Sequence, residues 1–300
     1  MRTKQTRTRA ACAAMLVIAL AMLGLAGSAS AKLTGEFKRF EQCPYNNPEV
    51  RRCLYSTTTG GTVVLGSKKV PIVNPVPLQG GYGPVGEDEF AEGFFAAKNG
   101  ITLAKVPQPV PGGLAGIVNC KEISNIILRI SCEVTFENGL TGLNSVLELA
   151  KPASAIRISE NHLAEETGIA LEMPIKIRLE NPFLGSECYV GSSSAPILWK
   201  LTTGTTAPPG PNKAIKGKAG ELELLEEGSV LKLKQAELVD NSWAAPGTNG
   251  CGGVFSFILD PIINLAAGLP AKAGTNTAIL KNEIYESPAG AVLNNDKTHP

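Results

Sequence analysis

A chain of 300 residues with 28 basic and 27 acidic side chains carries a formal charge of only +1, without the basic excess that a nucleic-acid binder turns toward phosphates. Two histidines and an aromatic content of 5% leave little material for histidine-based catalysis or for sugar-stacking platforms.

The first segment is a leader by pattern. Arg2, Lys4, Arg7 and Arg9 are followed by an uncharged stretch from Ala10 to Gly27, and Ala29-Ser30-Ala31 offers the small-x-small exit that signal peptidase accepts. Residues 1–31 are expected to be removed after Ala31, so that the mature chain starts at Lys32 and is secreted or held at the cell envelope. Of the 28 basic groups four leave with the leader and none of the 27 acidic ones does, which takes the formal charge to −3. No cysteine at the cleavage point suggests a lipid anchor, and no Arg-Arg pair suggests the twin-arginine route. No later apolar run nears the roughly 20 residues of a spanning helix, so no transmembrane segment is expected in the mature chain.

Beyond the leader come Cys43, Cys53, Cys120, Cys132, Cys188 and Cys251, an even set suited to an oxidising compartment. Cys43 and Cys53 bracket a short loop with Pro44 and Pro48. Cys120 and Cys132 precede and enter one strand candidate, and Cys188 and Cys251 remain for each other. Six cysteines allow 15 pairings, so this assignment rests on proximity. Their spacing lacks the close Cys-x-x-Cys or Cys/His pattern of a zinc site.

Alternation by two is the main periodic signal. It is clearest in Leu128 to Phe136 and in Leu171 to Leu179, where Pro174 falls on the outward face and suits an edge or a bulge. Further strands are expected at Thr62 to Leu65 and Val70 to Val73 around a Gly66-Ser67 turn, and at Val146 to Ala150, Ala155 to Ser159 and Ile197 to Thr202. Others are expected at Glu221 to Leu225, Val230 to Lys234, Val254 to Leu259 and Thr277 to Tyr285. Glu226-Glu227-Gly228-Ser229 reads as a hairpin loop with Gly228 at positive φ. One helix is expected near the C-terminus, with Asp260 as cap, Pro261 in its first turn and Gly268 and Pro270 as stops. Glu89 to Ala97 is a weaker candidate, interrupted by Gly93. Gly80 to Gly86, Pro107 to Gly113 and Thr202 to Pro211 read as loops. The expected fold is therefore all-β, an antiparallel sandwich or barrel with one short C-terminal helix and disulfide support. A boundary at Pro107 to Gly113 would divide an N-terminal β lobe, residues 32–112, from a main antiparallel domain, residues 113–290, before a disordered polar tail, residues 291–300.

Chemical motifs are few. His162 lies in a polar stretch and reads as an exposed loop residue, and no Gly-x-Ser-x-Gly elbow or His-Glu-x-x-His pair accompanies it. Gly81 to Gly86 matches Gly-x-Gly-x-x-Gly only as a loop, and Gly191-Ser192-Ser193-Ser194 lacks the lysine of a phosphate loop. Glu87, Asp88, Glu89 and Glu92 could hold calcium or supply paired carboxylates for glycoside hydrolysis, although a solvated acidic loop explains them as well. Trp199 and Trp243 are expected to pack in the core or against loops.

The run Phe136-Glu137-Asn138-Gly139-Leu140-Thr141-Gly142, the stretch from Glu180 to Ser194 that includes Asn181-Pro182-Phe183-Leu184 and Cys188-Tyr189-Val190-Gly191, and the block Asn249-Gly250-Cys251-Gly252-Gly253-Val254-Phe255 resemble a group of uncharacterised exported proteins of high-GC Gram-positive bacteria. The resemblance spans most of the mature chain and implies export, with no activity, cofactor or catalytic residue to carry over. Together these readings lead to an exported, non-enzymatic β-rich module for binding or for the cell envelope, with no cofactor, no metal and no nucleic-acid partner. The alternatives are a secreted carboxylate-based hydrolase of glycan type and a carrier of small apolar ligands inside the fold.

Overall fold

A computed structural model describes residues 32–84, 92–113, 124–126, 129–130 and 142–298. In chain order the strands are β1 (Arg52–Leu65), β2 (Lys68–Pro71), β3 (Val76–Pro84), β4 (Glu92–Ala96), β5 (Gln108–Pro109), β6 (Asn144–Leu149) and β7 (Arg157–Ile158). They continue with β8 (Leu171–Glu180), β9 (Tyr189–Val190), β10 (Ile197–Leu201), β11 (Glu221–Leu225), β12 (Val230–Asp240), β13 (Thr248–Asn249) and β14 (Thr277–Pro288). Helices α1 (Glu160–Glu165), α2 (Ser256–Ala267) and α3 (Ala289–Thr298) are interspersed. Among the described residues 14 strands make one antiparallel sheet whose main path, β11-β12-β14-β1-β3-β4-β7-β8-β6-β5, is not closed. Among the described residues no helix is long and apolar enough to cross a membrane.

The sheet folds back on itself so that two faces share one core. Leu54, Leu78 and Ile284 from β1, β3 and β14 belong to the same buried cluster as Ile175 and Trp199 from β8 and β10. A smaller cluster on the opposite face of β1 and β14 gathers Phe37 and Phe40 from a 3-10 turn at Gly35–Phe40, Tyr285, and Val292 of α3. Residues 32–112 do not stand apart: β1 pairs with β14 along nearly its whole length, from Arg52 opposite Pro288 to Val64 opposite Thr277. Leu293 to Thr298, expected in the tail, form the last turns of α3.

The alternating run that became β8 lies where the pattern put it, with Met173, Ile175, Ile177 and Leu179 buried. Pro174 was expected at an edge or a bulge; it is buried instead in a strand flanked on both sides, opposite Leu198 of β10, with its carbonyl accepting from Ala150 N. The other alternating run behaves differently at its two described positions. Arg129 and Ile130 are helical, with Arg129 N donating to Asn125 O at 2.8 Å. The remainder of that run, Cys120 and Cys132 lie outside the described residues. The Glu89 to Ala97 helix candidate is strand β4 where it is described, because Phe94 packs opposite Tyr82 and Phe95 opposite Gly81.

Gly80 to Pro84, expected as loop, complete β3. These glycines serve close packing: a Cβ on Gly83 would stand 2.2 Å from Glu49 O, and one on Gly81 2.5 Å from Val50 Cγ1. At Gly61 in β1, φ is +115° and a Cβ would meet Ile279 O at 2.0 Å. Gly61→Ala is therefore expected to cost about 2 kcal/mol, from backbone strain and displacement of β14, as a shift of the urea midpoint at unchanged slope.

Val254 to Leu259, expected as a strand, form a 3-10 turn at Gly253–Phe255 and the first turn of α2. Helix α2 thus starts at Ser256, and Asp260 lies inside it. Asp260 caps a loop in place of the helix, its carboxylate accepting from Gly250 N and Cys251 N at 3.0 and 3.1 Å. The stop is as read: Gly268 at φ 67° closes the helix through Asn264 O and Leu265 O.

Candidate functional site

Strand β14 turns Ala278, Leu280, Asn282, Ile284 and Glu286 to the interior, because alternate residues share a face. With Leu54 and Leu78 from β1 and β3, and Met173 and Trp199 from β8 and β10, the last four of these β14 residues line a largely apolar cavity of about 50 Å³. A second cavity of about 50 Å³ lies between Val63, Leu65, Ile177, Val190 and Ile263, and Leu147 borders both. The hydroxyl of Thr58 donates to Asn282 Oδ1 at 2.7 Å and Asn282 Nδ2 donates to Leu280 O at 2.9 Å, so this polar pair on the wall is satisfied. Trp199 is fully buried edge-on to Trp243, with ring centroids 6.1 Å apart. Trp243 Nε1 donates to Asp240 O, whereas Trp199 Nε1 has no acceptor among the described residues.

At one end of the first cavity the interior becomes charged. Cross-strand register sets Arg52 of β1 opposite Tyr82 of β3, and Leu54 opposite Glu286 of β14. Glu160 opens α1, whose start is fixed by Ser159 Oγ accepting from His162 N. The Tyr82 hydroxyl donates to Glu160 Oε1 at 2.5 Å, and Arg52 Nε meets the same oxygen at 2.7 Å. Glu286 is 5% exposed. Burial, a hydrogen bond to Glu160 and the negative charge of Glu160 raise its carboxyl well above the usual carboxylate range, with Tyr82 and Arg52 opposing. Burial, and then Glu160, also raise Glu92. Burial raises the Tyr82 hydroxyl strongly, so this phenol stays neutral.

These surroundings favour Glu286 as a neutral acid whose O–H donates to the Glu160 carboxylate. A carboxylic acid used in that way keeps its other oxygen as an acceptor. Glu286 Oε1 is buried and receives no hydrogen bond from the described residues. One chamber is thus bordered by two side chains with unmet polar atoms, an indole N–H and a carboxyl oxygen, each of which costs about 1–3 kcal/mol when left dry.

Of the residues singled out in the sequence that the structure describes, Glu92 and Trp199 adjoin this chamber. Cys43 is bonded to Cys53 and Cys188 to Cys251, with Cα separations of 5.5 and 4.0 Å. Glu87, Asp88 and Glu89 lie outside the described residues. His162 sits in α1, with Nδ1 3.1 Å from Ile169 O. Another buried acid, Glu148 of β6, is matched by Arg178 at 2.9 Å, Lys105 at 3.2 Å and Lys176 at 3.8 Å, an ion cluster that neutralises it. No family model, curated protein or solved structure matches this chain. Glu286 and Tyr82 escaped the sequence reading: Glu286 stands just past the expected strand end, and Tyr82 lies in a glycine-rich stretch read as loop.

Proposed function

We propose that this chain is an exported, non-enzymatic β-rich module that binds a small uncharged molecule, an apolar body bearing one hydroxyl, between the faces of its sheet. The observation that carries the reading is that two side chains lining one apolar cavity each carry an unmet polar atom. A hydroxyl oxygen accepts from the Trp199 indole while its proton goes to the Glu286 oxygen, and hydrocarbon occupies the remaining Leu, Ile and Met surface. An anion would face the negative charge of Glu160, and a cation would be stripped of water in a chamber whose lining acid, Glu286, is neutral.

Size limits the ligand further. A cavity of about 150 Å³ accommodates benzene, so about 50 Å³ suits roughly two or three heavy atoms, the size of methanol or ethanol. The leader and the disulfides support export to an oxidising compartment. A glycan hydrolase is the weaker reading. Carboxyls that work on a glycosidic bond stand at least about 5 Å apart, whereas Glu286 lies near enough to Glu160 for a hydrogen bond and its charge to raise the Glu286 carboxyl.

The two tryptophans give two indole resonances in a proton–nitrogen correlation spectrum. Titration with methanol and ethanol is expected to move the Trp199 signal downfield to saturation and leave the Trp243 signal nearly still. Glu286→Leu, which removes the acceptor and fills the space, is expected to weaken binding roughly tenfold or more. A non-saturating drift of both signals, or equal affinity in the variant, refutes the assignment.

A further inference from the structure

We propose that α2 and the turn before it form a docking surface for an anionic phospholipid bilayer, on which the helix lies flat. Val254, Phe257, Pro261 and Leu265 are spaced by three, four and four residues, so they form one stripe, and all four are exposed, Val254 by 83%, Phe257 by 74% and Leu265 by 87%. Phe255 adds a further ring, 60% exposed. The opposite stripe, Leu259, Ile263 and Ala267, packs onto the core. A helix apolar on both faces belongs in a protein interior or in lipid, and α2 has protein on one face only.

The polar side chains of this helix point away from the exposed stripe. Asp260 is held by the backbone N–H groups of Gly250 and Cys251, and Asn264 Oδ1 accepts from Thr248 N at 2.7 Å. The adjacent Cys188–Cys251 bond fixes the entry to the helix, so the apolar stripe is presented without further ordering.

Charge and area choose the occupant. The C-terminal end of α2 meets the β1–β2 turn through Ser67 N donating to Ala267 O at 2.9 Å, which sets exposed Lys69 beside it, and exposed Lys272 follows the helix. Both suit phosphate headgroups at the helix C-terminus, while Glu187 borders the other end at Gly250. A stable dimer needs roughly 20–30 residues a side, far more than this stripe supplies. Twelve helical residues span about 18 Å, short of the roughly 30 Å hydrocarbon core, so the helix rests in the interface.

The test is co-sedimentation of the purified protein with sucrose-loaded vesicles, either pure phosphatidylcholine or phosphatidylcholine with phosphatidylglycerol. Binding is expected to favour the anionic vesicles and to weaken with salt. The pair Phe257→Ser and Leu265→Ser, both at exposed positions, should keep the melting temperature and lower binding at least about tenfold. Lys69→Glu with Lys272→Glu should remove the anionic preference, roughly fivefold per lysine. Absence of sedimentation with either vesicle, or undiminished binding by the serine pair, overturns the proposal. So does a concentration-dependent dimer in analytical ultracentrifugation that the serine pair abolishes, which would assign the stripe to a second copy.

Discussion

Replacing both Cys188 and Cys251 with alanine is expected to lower stability by about 4 kcal/mol, because their bond closes a loop over a separation of 63 residues and so removes much of the freedom of the unfolded chain. The same replacement at Cys43 and Cys53, separated by 10 residues, should cost about 3 kcal/mol. For a domain of this size the larger loss corresponds to a fall in melting temperature of roughly 10 °C or more, readable by calorimetry. The Cys188–Cys251 bond also anchors the Gly250 and Cys251 N–H groups that hold Asp260, so its loss should speed amide exchange in α2 before the rest of the fold. A larger cost at the short loop, or an α2 whose exchange is unaltered, would contradict this account.

The second large effect concerns Glu286 and pH. Folded, this carboxyl holds its proton more tightly than the ordinary value of 4.5 describes, so above that pH the unfolded chain binds fewer protons than the native one. Stability supplied by the neutral acid is complete below the ordinary value and is lost as pH rises through the raised folded value. Within that window the slope reaches about 1.4 kcal/mol per pH unit. Glu286→Gln keeps a donor for Glu160 and an acceptor for the chamber but does not ionise. Subtracting the stability of the variant from that of the wild type cancels the shift of Glu92, whose causes do not include Glu286, and Tyr82 ionises only above its ordinary value of 10.0. The difference, from urea titrations at successive pH values, should fall steadily from pH 4.5 upward. A flat difference would mean that Glu286 is hydrated, and would remove the acid end from the proposed site.

How far these features were legible in the sequence depends on what each residue had to signal. Strand β8 was plain because Met173, Ile175, Ile177 and Leu179 are buried while their neighbours Glu172, Lys176 and Arg178 carry charge. Only the last third of β1 was found. Its first part, through Tyr55-Ser56-Thr57-Thr58, lies between β3 and β14, and its polar inner face, Ser56 and Thr58, breaks the apolar alternation. Strand β3 was hidden for the opposite reason: glycines that admit the backbone of Glu49 and the side chain of Val50 look like turn formers until the neighbours are known. Helix α2 was misread in part because a continuous apolar run has no period to distinguish strand from helix. The candidate site was least visible. Trp199 was placed in the core correctly, but its unmet N–H is a property of its surroundings, and Glu286 breaks the very pattern by which an inward face is recognised.

The pairing of β1 with β14 has one more consequence, for the order in which the polypeptide can mature. The middle of the sheet joins residues 52–65 to residues 277–288, so the first long strand waits for the last one before its edge is covered. Such distant partnership slows collapse and leaves a growing chain threadable until translation is nearly finished. Under the export proposed above, in which the chain would pass a membrane channel uncoiled, that delay is a safeguard against folding too early.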